Sequence, residues 1–196
     1  RSTWSRLVPP FTVVALLLAG CATTDRGVAT TTTEAIGGIE LDPPPQVGAV
    51  SLPDATASDP PFPMRAAAGQ LLLVYFGYTS CPDVCPTTLA DLGQALDQLG
   101  PEADRLQPLF VTVDPERDTP AVMRDYVAAF GNRIAGLTGS AAQIAAVAKA
   151  YRVYYAKHPE GSDYSMDHTA ILYVMRPNGT MAGFMTPDLR TAKVFV

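Results

Sequence analysis

The sequence predicts an α/β domain, and three observations carry that reading. Short apolar runs alternate with segments of helical period, the helical segments begin at recognisable caps, and the pattern closes on a hairpin. Leu71-Leu72-Leu73-Val74-Tyr75-Phe76 is apolar throughout and stops at Gly77, as a strand buried on both faces does. Leu89, Leu92, Leu96 and Leu99 then recur at helical spacing up to Gly100-Pro101, which predicts a helix with a stop. Leu106 to Val113 is a second buried strand. Thr119 caps the next helix, Pro120 occupies its first turn, and Val122, Tyr126 and Phe130 mark its apolar face. Ile134 to Leu137 reads as a short strand, and Ser140 caps a helix from Ala141 to Tyr151. Thr169 to Met175, the turn Arg176-Pro177-Asn178-Gly179 and Thr180 to Met185 form the closing hairpin.

This order, β-α-β-α-β-α-β-β, puts parallel strands in the first part of a central mixed sheet flanked by helices. It suits a thioredoxin-like fold with an inserted helix and strand. A last helix is expected to open at Pro187-Asp188 and to be cut short at Val196.

The 196 residues allow one domain of ordinary size plus a tail. With 47% hydrophobic and 17% charged residues the chain is not compositionally disordered. Its net charge of -5, with no basic run, excludes general nucleic-acid binding. The first residue is arginine, so an upstream start is expected. Arg1 and Arg6 precede an apolar stretch from Phe11 to Leu18, too short to span a bilayer, which runs into Leu18-Ala19-Gly20-Cys21. That is the pattern of a signal peptide, residues 1–21, and it resembles the bacterial lipobox. The resemblance implies lipid attachment at Cys21; the plainer alternative is a secretory signal with an incidental cysteine. Both put the mature protein outside the cytoplasm, and the first anchors it to the extracytoplasmic face of a bacterial membrane. Residues 22–63, rich in Thr, Pro, Gly and Ala, read as a flexible tether, with an edge strand or hairpin considered around Val47 to Leu52. The folded domain is then 64–196.

Of three cysteines, one is assigned to the lipid, and Cys81 and Cys85 remain, four positions apart. They lie between a buried strand and a helix start, where unpaired amides and the helix dipole favour a thiolate. Pro82 and Pro86 stiffen the loop, and a spacing of four can bring both sulfurs to one face. Such a pair can close a redox disulfide or share a soft metal ion, copper or zinc. Two thiolates do not complete a metal site. His168, one of two histidines, lies before the penultimate strand, and in a thioredoxin-like topology the loop there approaches the cysteine loop. It is the expected third ligand. His158 sits in a polar loop and reads as surface. Asp83 reads as solvated, and Asp167 is not expected to orient His168, because adjacent side chains of an extended segment point apart.

Three segments, FGYTSCPDVCPTTL, VTVDPERDTP and DHTAILYVMRPNG, together resemble the Sco/SenC family of copper proteins, over roughly Leu71 to Phe184. The resemblance implies a thioredoxin-like fold with family-type insertions and one copper ion, Cu(I) or Cu(II), on Cys81, Cys85 and His168. It implies delivery of copper to the CuA centre on cytochrome c oxidase subunit II, or thiol reduction there, with a copper donor protein upstream. The chain then acts chiefly as a metallochaperone; a thiol-disulfide oxidoreductase using Cys81 and Cys85 is the alternative. For Asp114 and Asp118 it suggests partner recognition or shaping of the metal site. The plainer alternative is that Asp118 helps to cap the following helix and Asp114 makes a turn. The stretch from Ser51 to Gln70 follows the family pattern only loosely.

Overall fold

The computed structural model describes residues 39–186 apart from 41, 48–49 and 58–60. The signal segment with Cys21, the first part of the expected tether and the expected last helix lie outside the described residues. The strands, in chain order, are β1 (Ile39–Glu40), β2 (Ser51–Pro53), β3 (Pro61–Pro63), β4 (Leu71–Gly77), β5 (Leu106–Thr112), β6 (Ala135–Leu137), β7 (Tyr155–Glu160), β8 (Asp163–His168), β9 (Leu172–Met175) and β10 (Met181–Met185). The helices are α1 (Val84–Leu99), α2 (Pro120–Ala128) and α3 (Ala141–Tyr151).

The six-stranded sheet runs β1-β10-β9-β4-β5-β6. β4, β5 and β6 are parallel, while β9 is antiparallel to β4 and β10 to β9. The three parallel strands are almost wholly buried, which is why they read as unbroken apolar runs rather than alternations. Register places the site. Gly77 is level with Thr112 at the carboxyl ends of β4 and β5, and Tyr75 is level with Leu172 at the start of antiparallel β9. The loop after β4, the loop after β5 and the segment before β9 therefore meet at one edge of the sheet. That edge is where open α/β sheets bind their ligands.

The helix starts follow the sequence. The Thr119 hydroxyl accepts from the Val122 amide, and Ser140 and Gln143 form a reciprocal capping box. The apolar face of α2 differs from expectation: Val122 is 40% exposed, and Met123 and Val127 are the residues it buries. Tyr126 and Phe130 pack beside them at the edge of the core.

The stretch read as tether is, from β1 onward, partly built into the domain. β1 pairs with β10, β2 and β3 form a hairpin, and Asp54 bridges to Leu137 of β6. Leu52 and Ala55 within it, and Met64 just after it, are fully buried. Each large side chain so buried contributes about 2 kcal/mol, enough to dock strands of two or three residues that show no period of their own.

The hairpin β7–β8 was not visible as strands in the sequence, where it reads as a polar loop. Its residues are mostly exposed, so no apolar alternation marks it. Its turn carries Gly161 at φ +63°, a left-handed conformation that glycine adopts without strain. Its two strands pair with each other and with none of the sheet strands.

Candidate metal centre

Cys81 ends the turn after β4, its amide bonded to the Tyr78 carbonyl at 3.2 Å. Cys85 lies in the first turn of α1, which begins at Val84, and so faces back onto the sheet edge. His168 is the last residue of β8. One sulfur or nitrogen atom from each residue lies within 4.8 Å of the other two. Cys85 Sγ and His168 Nε2 are 3.4 Å apart. A tetrahedral ion with bonds of about 2.3 Å to sulfur and about 2.0 Å to nitrogen separates such atoms by roughly 3.5 Å, so the three donors fit one metal ion. Two soft sulfurs and one imidazole are a donor set suited to copper.

The histidine is prepared for this role. Its Nδ1 lies 3.3 Å from the Thr169 carbonyl, which can only accept, so Nδ1 carries the proton and Nε2 offers its lone pair. Burial pushes its pKa down and keeps the ring neutral, while Thr169 works the other way. Tyr75 and Tyr78 both present their rings edge-on to it, with centroids 6.3 and 5.9 Å away.

The cysteines are free thiols in an apolar setting, Cys85 at 0% and Cys81 at 8% exposure. Burial pushes the Cys85 thiol well up, against a hydrogen bond with the Tyr78 backbone. The helix start was expected to favour a thiolate there; at Cys85 burial outweighs it. An incoming metal must therefore displace a proton from Cys85.

Gly77 explains how Cys85 gets so close. A Cβ at Gly77 would lie 2.7 Å from Cys85 Sγ and 2.7 Å from Phe110 Cε2. No side chain fits between strand and sulfur. Gly77→Ala is expected to push the sulfur or helix α1 outward and to destabilise the fold by about 1–3 kcal/mol. The check is thermal unfolding together with metal titration; unchanged values in both would contradict the close-packing argument.

The acidic pair lies at the same edge, and both carboxylates are bonded to protein groups. Asp118 is fully buried and accepts from the Thr79 amide at 3.1 Å, the Thr79 hydroxyl at 2.6 Å and the Thr112 hydroxyl at 2.6 Å. Burial pushes its carboxyl up, and these three bonds oppose the shift. The helix cap is Thr119, so the capping role considered for Asp118 falls to its neighbour and its side chain reaches across to the cysteine loop. Asp114 does make a turn: its carbonyl accepts from the Asp118 amide at 3.0 Å. Its carboxylate accepts from Arg117 Nε and, at 2.8 Å, from the Tyr164 hydroxyl of β8.

Asp83 is exposed, as expected. Asp167 turns away from the site and contacts the exposed His158 at 2.9 Å, so the surface reading of His158 and the separation of Asp167 from His168 both hold. Sequence reasoning passed over Gly77, Thr79, Arg117 and Tyr164. For Arg117 the available signal was its place between two aspartates in a turn that follows a buried strand.

A thioredoxin-like α/β domain with a thiol–thiol–imidazole group at the carboxyl edge of its sheet defines the class. The SCO1/SenC family model matches residues 56–195, and the chain belongs to that family. It is 50% identical over 120 residues to a mitochondrial SCO2 homolog of Bos taurus, covering 59% of this chain and 45% of that protein. It is 42% identical over 130 residues to the mitochondrial SCO1 homolog of Homo sapiens, covering 64% and 43%. The chain thus spans less than half the length of these two relatives. Among solved structures it resembles Bradyrhizobium japonicum ScoI with copper bound, with 38% identity, TM-score 0.66 and coverage of 75% of this chain and 97% of that one. It also resembles yeast Sco1 with copper bound, with 34% identity, TM-score 0.68 and coverage of 77% and 87%. Among the described residues no helix is long and apolar enough to cross a membrane.

Proposed function

We propose that the chain is a copper metallochaperone that binds one copper ion, its cargo, through Cys81, Cys85 and His168. It passes the ion to the CuA centre of cytochrome c oxidase subunit II or otherwise matures that centre. The observation that carries this reading is the approach of two thiols and one prepared imidazole to within 4.8 Å. The copper carried by two related structures at 34–38% identity supports the choice of metal. In this reading Cys21 holds the lipid, and residues after it tether the domain at the extracytoplasmic face of the membrane. A copper donor protein fills the site there. Asp118 shapes the cysteine loop through Thr79.

The arrangement lets copper both enter and leave. Cys81 is the more exposed thiol and, with the half-buried His168, meets a partner first, whereas Cys85 is fully buried. Exchange with a partner's thiols then proceeds one ligand at a time, with no need to unfold the site.

A second reading is favoured by the two free thiols. The Cys81 thiolate attacks a partner disulfide, a mixed disulfide forms, and Cys85 displaces it. The partner gains two electrons and two protons, and Cys81 and Cys85 leave the reaction joined as a disulfide. His168 is dispensable for that chemistry, whereas the copper site needs it as third ligand, for Cu(II) above all.

The test is complementation of an oxidase-assembly defect at limiting copper, with parent, Cys85→Ser and His168→Ala chains. Copper delivery predicts rescue by the parent alone. Rescue by His168→Ala but not by Cys85→Ser supports the reductase, and rescue by all three removes both readings.

A further inference from the structure

The turn from Asp114 to Asp118 faces two ways. On one side Asp118 is bonded to Thr79, two residues before Cys81. On the other side Asp114 and Arg117 grip the hairpin that ends in His168. Arg117 Nη1 donates to the Tyr164 carbonyl at 2.9 Å and to Asp163 Oδ1 at 3.1 Å, while its Nε donates to Asp114. The guanidinium lies over the Tyr164 ring, 3.7 Å from its centroid, and the Tyr164 hydroxyl returns to the same Asp114.

We propose that Arg117 is a positioning residue of the metal centre: its guanidinium clamps β8 to the turn after β5 and thereby holds His168 against Cys85. The inference rests on the reading of Cys81, Cys85 and His168 as a metal site. Its first support is topological. Neither β7 nor β8 pairs with a sheet strand, so backbone pairing with the sheet does not hold the hairpin in place. Apolar anchoring is thin as well, for Met166 is the one fully apolar side chain that the hairpin buries. Attachment therefore depends on polar and ring contacts, and Arg117 alone makes three of them. Lys157 of β7 adds a lesser strut to Glu116 at 2.7 Å and lies over the Tyr164 ring at 4.0 Å. Both its ends are exposed, so it is worth little.

The second support is the period of the strand. Tyr164, Met166 and His168 alternate along β8 and share one face. Tyr164 is fixed by Arg117 and Asp114, Met166 sits in the core, and His168 reaches Cys85 at 3.4 Å. A strand pinned at its first turn-proximal residues projects its last residue to a set position; once released there, it pivots on Met166. Arg117 also lies over the Tyr78 ring, 5.7 Å from its centroid, and Tyr78 in turn is edge-on to His168. Lysine would not replace it, because one ammonium cannot donate to Asp114, Asp163 and the Tyr164 carbonyl while lying flat on a ring.

The test uses the full chain with Arg117→Met, which keeps the apolar stem, and Arg117→Lys, which keeps the charge. In the metal-free protein, amide exchange across β7–β8 is expected to rise on the order of tenfold in Arg117→Met, with β4 and β5 unchanged. With Cu(II) bound, the imidazole nitrogen hyperfine signal is expected to weaken while thiolate-to-copper absorption persists; Arg117→Lys recovers only part of either readout. Parent-like exchange and a parent-like nitrogen signal in Arg117→Met would overturn the proposal. Should that variant fail to fold, Arg117→Lys carries the same two readouts. A parent chain that lacks a His168-dependent nitrogen signal would sink the metal-site reading instead, and the exchange experiment would still decide whether Arg117 holds the hairpin.

Discussion

Cys85→Ser is expected to lower copper affinity well beyond the roughly 10–100-fold that loss of an outer hydrogen-bond partner costs a metal site. Geometry and softness act together here. Cys85 is the innermost donor, packed against Gly77 and 3.4 Å from the imidazole. Serine keeps the volume within a fraction of a methyl group but replaces a soft sulfur with a hard hydroxyl that stays protonated at neutral pH. The fold has little reason to change, so the loss falls on the metal. His168→Ala is expected to weaken binding less for Cu(I), which two thiolates can hold, than for Cu(II), which needs the nitrogen. Competition against a chelator of known affinity, run for both oxidation states, checks both. Parent-like affinity in Cys85→Ser would show that copper binds elsewhere.

Asp118→Ala is expected to cost the fold about 2–4 kcal/mol. Three donors, the part-buried amide and hydroxyl of Thr79 and the buried hydroxyl of Thr112, would lose their acceptor. The cost of burying the carboxylate is recovered at the same time, which keeps the figure below the sum of three bonds. For a domain of this size that loss lowers the melting temperature by roughly 5–12 °C. The second consequence is local: Thr79 anchors the loop that carries Cys81, so the loop should lose amide protection before the sheet does. Asp118→Asn retains one acceptor and places an amide N–H opposite a donor, so it should fall between parent and alanine. Thermal melts with exchange across residues 78–83 are the check. A variant as stable as the parent, with a protected loop, would deny Asp118 this role.

The three residues that meet at the candidate metal centre were legible in the sequence because their residue types are scarce. Two histidines and three cysteines leave few combinations, and the strand–loop–helix setting of Cys81 and Cys85 is written in apolar runs and prolines. His168 needed topology as well: the antiparallel return of β9 is what brings its start back to the edge where β4 ends. The rest was hidden for two physical reasons. The β7–β8 hairpin is polar on most of its surface and shows no period. Short strands such as β2 and β3 are held by a few buried side chains in a proline-rich stretch, so composition suggested a tether. The contacts that organise the site, Asp118 to Thr79 and Arg117 to Tyr164, join residues 39 and 47 positions apart. No local pattern announces them. Asp118 in particular sits one place before a true helix cap, and only the structure distinguishes the two side chains.

The central claim is that one copper ion is held by Cys81, Cys85 and His168 together. X-ray absorption at the copper edge, on protein loaded with one equivalent of copper, tests it most directly. Two sulfur scatterers and one imidazole nitrogen are expected around the copper, with the nitrogen lost in His168→Ala and one sulfur lost in Cys85→Ser. A shell of oxygen and nitrogen alone, or one unchanged by both substitutions, would contradict it.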